Sequence, residues 1–352
     1  MTLSLSGLAT GIGSMPHREA VTALDTIFKN IPFIPHWPQL PAGGEEDGFI
    51  RLFLHPLLER GLVQIKDTGT AYFDTSADDW LELLTAFYTE VLEADNAEVG
   101  FGFPERLATG FYSFLEHLRV KESGEALYLK GQVTGPVTIG FQLTDTVLQP
   151  AFYIDELRDI LVRSLALQIR WQVQTMAKFN LPAIIFIDDP TLYGYGQSTY
   201  LGLSRSAIQE SLSPLIEAAH AEGALVGVHA CAGVDWSLLF ELPFDIVNID
   251  VYNYFPSLLV CVEQYNRFLG RGGFLAYGLV PTSEEVEKES ADSLLSRLDA
   301  YMANLESKKV DSERLRKQIL FTPSCGTGTL SVNNAERVYH LLQEISLSYR
   351  AR

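Results

Sequence analysis

Residues 225–233 read LVGVHACAG, placing a histidine and a cysteine two positions apart at the end of an apolar run. Side chains in a strand alternate between faces with period two, so His229 and Cys231 point the same way. An imidazole and a thiolate on one face can converge on a single ion. Two further donors end other apolar runs: Asp250 in FDIVNID and Cys325 in PSCGTGT. This mixture of nitrogen, sulfur and carboxylate suits Zn2+, whereas magnesium or calcium would want oxygen alone. A zinc held by two thiolates is electron-rich and activates water poorly. It is suited to binding a substrate thiol and keeping it as thiolate near neutral pH, where a free thiol of pKa about 8.5 is mostly protonated. The nucleophile in that chemistry is the substrate sulfur, and the protein supplies none of its own. The plain alternative is core: cysteine is among the most buried residue types, and a single core histidine is commonplace. Cys261, inside the helical-looking SLLVCVEQY, reads as core.

The elements that must position these donors follow from hydrophobic periodicity. Apolar, β-branched runs at 9–14, 33–39, 127–135, 183–188, 225–230, 244–250, 273–280 and 318–324 read as strands. Between them, 78–94, 154–179, 206–223 and 290–307 carry helical period. Strands alternating with helices predict parallel pairing, and eight is the number that closes a (β/α)8 TIM barrel, here one domain over 1–352. The stretch LVQIKDTGTAYFD (62–74) has a turn signal in its middle and predicts a small β-hairpin insertion after the second strand. A doubly wound nucleotide-binding sheet would want GxGxxG after the first strand, and the glycines at 7, 11 and 13 are not so spaced. In a TIM barrel the chemistry sits at the C-terminal ends of the strands. The polar oddities fall there: Ser14, Gln39, Thr134, the pair Asp188 and Asp189, His229 with Cys231, Asp250, and Cys325 just after the last strand. The bland reading of Asp188 and Asp189 is a helix N-cap.

The 352 residues are 47% hydrophobic and 20% charged, ample apolar material for a large core. A net charge of −18 opposes nucleic-acid binding, because phosphates would be repelled, and fits a protein that handles small molecules. The N-terminus lacks a basic and then apolar signal pattern, and no run approaches a membrane span. Three scattered cysteines do not make a disulfide framework; a cytoplasmic location with reduced thiols is the expectation.

Six pieces, in order along the whole chain, resemble the catalytic domain of cobalamin-independent methionine synthase, within the uroporphyrinogen-decarboxylase-like barrels. They are ATGIGSMP (9–16), GQVTGPVTI (131–139), IFIDDP (185–190), HAC (229–231), VNIDVYN (247–253) and PSCGTGT (323–329). The resemblance implies zinc ligation by His229, Cys231 and Cys325, with Asp250 where the family has a glutamate ligand, one methylene longer. It implies that backbone groups at Ile12 and Ser14 hold an amino acid substrate, and that Asp188 pairs with its amino group, as suits a cation in a barrel mouth. It also implies methyl transfer to a thiol, homocysteine giving methionine, in a short form without the second barrel of the family's long enzymes.

Two departures bear on that reading. Where the family has a substrate-binding glutamate after the second strand, this chain has HWPQLP (36–41), leaving Gln39, Glu45, Glu46 or Asp47 as possible substitutes. Where the family has a histidine after the seventh strand as acid toward the folate leaving group, AYGLVPTS (276–283) has none. Without an acid to protonate a poor amine leaving group, a methyl-corrinoid such as methylcobalamin, presented by a corrinoid protein, is the expected donor. The rivals are a methylcobamide:coenzyme M methyltransferase, which shares the HxC…C pattern, and a non-catalytic zinc or corrinoid partner protein. The last alternative is a barrel whose cysteines are incidental.

Overall fold

The computed structural model describes residues 5–43, 50–93, 100–121, 123–231 and 233–352. Its strands are β1 (Leu8–Ala9), β2 (Val63–Ile65), β3 (Ala71–Phe73), β4 (Leu129–Thr134) and β5 (Ala183–Asp188). β6 (Leu225–Ala230), β7 (Ile246–Ile249), β8 (Phe274–Val280) and β9 (Ile319–Pro323) complete the set among the described residues. Seven of them form one parallel sheet in the order β1-β9-β8-β7-β6-β5-β4, curled into a half-barrel with helices around it. β2 and β3 pair antiparallel as the small hairpin expected at 62–74. The long helices Asp155–Ala177, Arg205–Ala221 and Ala291–Ser307 fall on the periodic segments. Ser204 caps the second, and a Ser290/Ser293 capping box starts the third.

Among the described residues a closed eight-stranded barrel does not form, which corrects the sequence expectation. Residues 33–39, expected as the second strand, lie between β4 and the chain beyond β1 but make only isolated bridges, His36 with Lys130 and Ser14 with Gln39. Pro35 and Pro38 are the reason: neither has an N–H, so a continuous ladder on both sides cannot be completed. What remains is a run of single bonds. Lys130 N–H donates to Pro35 O at 2.9 Å, Gln39 N–H to Gly13 O at 3.1 Å, and Met15 N–H to Gln39 O at 2.9 Å.

The inner face of the sheet has a gradient along the strands. At the N-terminal ends Leu8, Ile184, Phe186, Ile246, Ala276 and Leu320 form a buried apolar floor. Two residues further along the same faces stand the buried polar groups Asp188, Asn248 and Thr322, with His229 beside them. Period-two alternation carries the floor into the site without a change of face. A much larger apolar cluster fills the layer between sheet and helices, and Cys261 belongs to it as expected.

Candidate metal centre and substrate cavity

His229 is the last but one residue of β6, paired in register with Asp188 of β5 and Asn248 of β7. Cys231 follows one residue past the strand, and Cys325 lies two past the end of β9. His229 Nε2 sits 3.0 Å from Cys231 Sγ, which is 2.9 Å from Cys325 Sγ. The three donor atoms all lie within 4.8 Å of one another. With zinc–ligand bonds of about 2.0–2.3 Å, one ion can reach all three. One imidazole nitrogen and two sulfurs are a donor set zinc accepts, so the residues fit the metal. It is the sole such cluster among the described residues.

The cluster's electrostatics follow from shared protons. Cys231, hydrogen-bonded to Cys325, and His229 beside it lower the Cys325 thiol despite burial. Cys231 is correspondingly pushed up, first by that bond and then by burial. Burial by itself would lower His229, but the Cys325 thiolate, Asp188 and Asn248 outweigh it and the imidazole is raised.

Asp250 stands apart. It caps the helix Val251–Leu258, where Oδ1 accepts from Asn253 N–H at 3.0 Å and Oδ2 from Asn253 Nδ2 at 2.8 Å. It is not in the donor cluster. The Asp188–Asp189 pair divides its work. Asp189 accepts from Val137 N–H, Thr138 N–H and Thr138 Oγ1 at 3.0, 2.8 and 2.6 Å, anchoring the segment after β4. Gly135 permits this, since a Cβ there would lie 2.2 Å from Asp189 Oδ2. Asp188 has no such task. It is 4% exposed and its Oδ1 has no hydrogen-bond partner. Burial pushes it up to about 6, against the pull of Lys130 and His229.

One cavity of about 180 Å³ gathers the expected residues: Ile12, Ser14, Gln39, Asp188, His229, Cys231 and Cys325 all line it. Gly326 and Gly328 let the loop after β9 close on Ser14; a Cβ on Gly326 would lie 2.1 Å from Ser14 Oγ. Thr327 fixes that contact, donating to Ser14 O from N–H at 2.9 Å and from Oγ1 at 3.0 Å. Glu45, Glu46 and Asp47 lie outside the described residues.

Two residues beside the site escaped the sequence reading. Lys130 is fully buried and donates to Ile12 O at 2.6 Å and to Gln132 Oε1 at 3.3 Å, tying β4 to a cavity wall. Burial lowers its ammonium to about 8, although Asp188 pulls the other way. Asn248 accepts from His229 Nδ1 and donates to Ala276 O at 2.9 Å and Thr322 Oγ1 at 2.5 Å. The available signal was parity: Asn248 interrupts an otherwise apolar strand on the inward face, and Lys130 shares the inward face of β4 with Gln132 and Thr134.

No protein-family model and no curated protein matches the sequence. Solved structures with a likeness include a B12-independent methionine synthase from Shewanella sp. W3-18-1 in complex with selenomethionine. It is 16% identical, with a TM-score of 0.47, over 68% of this chain and 67% of that one. Another is a protein described as a vitamin-B12-independent methionine synthase from Listeria monocytogenes, 16% identical with a TM-score of 0.46, over 68% of this chain and 69% of that one. Both likenesses are distant.

Proposed function

We propose that the protein is a zinc-dependent methyltransferase acting on a small thiol that carries an ammonium group, homocysteine giving methionine being the reading that fits best. The observation that carries it is one small cavity with a soft donor cluster at one end and a buried carboxylate, Asp188, whose Oδ1 has no partner, beside it. A buried carboxylate oxygen without a partner is costly, and an ammonium supplied by a ligand would satisfy it.

His229, Cys231 and Cys325 would hold the ion, and zinc so bound stabilises a substrate thiol as thiolate near neutral pH. Asp250 as a fourth ligand would have to release Asn253. Asp188 and the Ile12 carbonyl would orient the ammonium, Lys130 holding that carbonyl in place from below. Ser14 and Gln39 would close the opposite wall. In the transfer a sulfur lone pair forms the new carbon–sulfur bond while the methyl–donor bond breaks, its electron pair leaving with the donor. The cavity is smaller than the roughly 300–1,000 Å³ of pockets that enclose drug-sized ligands. A corrinoid would therefore present its methyl from outside the mouth, as a corrinoid protein could do. The chain segment 276–283 places no histidine to protonate a folate amine, which favours that donor.

The test is multiple-turnover methionine formation by zinc-loaded protein from homocysteine and methylcobalamin, beside His229→Ala. Turnover with methyl-tetrahydrofolate as sole donor would overturn the corrinoid reading. Coenzyme M as acceptor is the alternative, and Asp188→Ala separates the two, hurting homocysteine far more than a thiol without an ammonium. Methyl binding without turnover would leave a non-catalytic partner protein.

A further inference from the structure

We propose that Asn248 is a positioning residue for the metal site, selecting the His229 tautomer that can ligate and doing so because the β8 backbone fixes the amide's orientation. The inference rests on the reading of His229, Cys231 and Cys325 as a zinc site. Asn248 is fully buried on β7, opposite His229 in register. Its amide can be placed two ways round, and the neighbours decide between them. Ala276 O is a backbone carbonyl that can only accept, so the amide NH2 must face it; the 2.9 Å bond does so, and Thr322 Oγ1 accepts from the same nitrogen. Oδ1 is then left facing His229 Nδ1 and can only accept. His229 must then carry a proton on Nδ1, which leaves Nε2, the nitrogen facing the cysteines, as the one whose lone pair a metal can take.

The chain of constraint runs from a main-chain carbonyl, through one side chain, to the ligand atom. Metal-bound histidines ordinarily have such an outer partner, and its loss typically weakens metal affinity 10–100-fold. Asparagine alone meets both demands at this position. Leucine can neither accept from His229 nor donate to Ala276. Aspartate accepts from His229 but, ionised, turns a second oxygen toward the Ala276 carbonyl. The two substitutions therefore separate holding the imidazole from holding the sheet.

The experiment measures zinc affinity by competition with a chromophoric chelator for the wild type, Asn248→Leu and Asn248→Asp. Chemical denaturation of each metal-free protein runs alongside, with nitrogen NMR of histidine-labelled wild type to read the His229 tautomer. Asn248→Leu is expected to lose 10–100-fold in zinc affinity. Asn248→Asp is expected to keep zinc affinity within about threefold of wild type, its carboxylate still accepting from His229, while its fold is weakened by the lost donor to Ala276. Zinc affinity that simply tracks fold stability across both variants, or a neutral wild-type His229 that carries its proton on Nε2 and not on Nδ1, overturns the proposal. If wild type takes up well under one zinc per chain, the metal reading fails instead, and the tautomer measurement still decides whether Asn248 governs His229.

Discussion

Replacing Asp188 by asparagine should stabilise the protein and disable it together. In metal-free, ligand-free protein the Asp188 carboxyl is 4% exposed, has an unpartnered oxygen and titrates near 6, against an ordinary 3.8. Its folded-state proton affinity is raised, so the folded chain binds more protons than the unfolded one between those values, and stability falls as pH rises through that window. The difference of about 2 in pKa, at 1.36 kcal/mol each, makes the cost about 3 kcal/mol above pH 7, about 0.5 kcal/mol at pH 4 and almost nothing below about pH 3. Asp188→Asn is neutral and of nearly the same shape. Its own unmatched NH2 costs about 1 kcal/mol at every pH, leaving a net gain of about 2 kcal/mol at pH 7.5. The assay is urea denaturation of chelator-treated wild type and variant from pH 4 to 8. Wild type should lose about 2.5 kcal/mol relative to the variant across that range. Parallel stability curves would refute the reasoning, because they would mean the carboxylate is already satisfied in the empty cavity. The same variant should bind an ammonium-bearing thiol at least about 100-fold more weakly, the cost of leaving a buried charge without its partner.

Purified protein should carry one zinc per chain, and His229→Ala, Cys231→Ser and Cys325→Ser should each lower metal content, as read by elemental analysis. Asp250→Asn should leave zinc content near that of wild type, since its oxygens are engaged by Asn253; loss of metal equal to that in Cys325→Ser would place Asp250 among the ligands. Alkylation at pH 8 should modify no thiol rapidly in zinc-loaded protein and Cys325 first after chelation, with Cys231 slower because its thiol is pushed up and Cys261 unreactive throughout because burial pushes its thiol up to about 12. Mass spectrometry identifies the modified residues. Gly135→Ala should destabilise by about 2 kcal/mol or more, because its Cβ would occupy the place of the Asp189 carboxylate, and thermal unfolding measures it.

How much of the protein could be read in its sequence depends on the range of the interaction involved. Period-two alternation is local, so β5 and β6 were legible to the residue, and the common face of His229 and Cys231 followed from their spacing alone. Serines and periodicity likewise marked the helices at 205–221 and 291–307. The hairpin at 62–74 was legible from its turn. The order and partial closure of the sheet were decided in three dimensions: Pro35 and Pro38 were visible, but only the need to pair on both sides at once made them costly. Cys325 joins His229 across 96 positions of sequence, and nothing local says how near the loop after β9 must come to Ser14. The same holds for the division of the aspartates. Asp188 and Asp189 are adjacent and chemically identical, yet the fold brings three donors to one and leaves Oδ1 of the other without any. Residue types and spacing thus determined which atoms could do the chemistry. Tertiary packing decided which of them still had a free lone pair with which to do it, because hydrogen-bond satisfaction depends on what lies opposite in space.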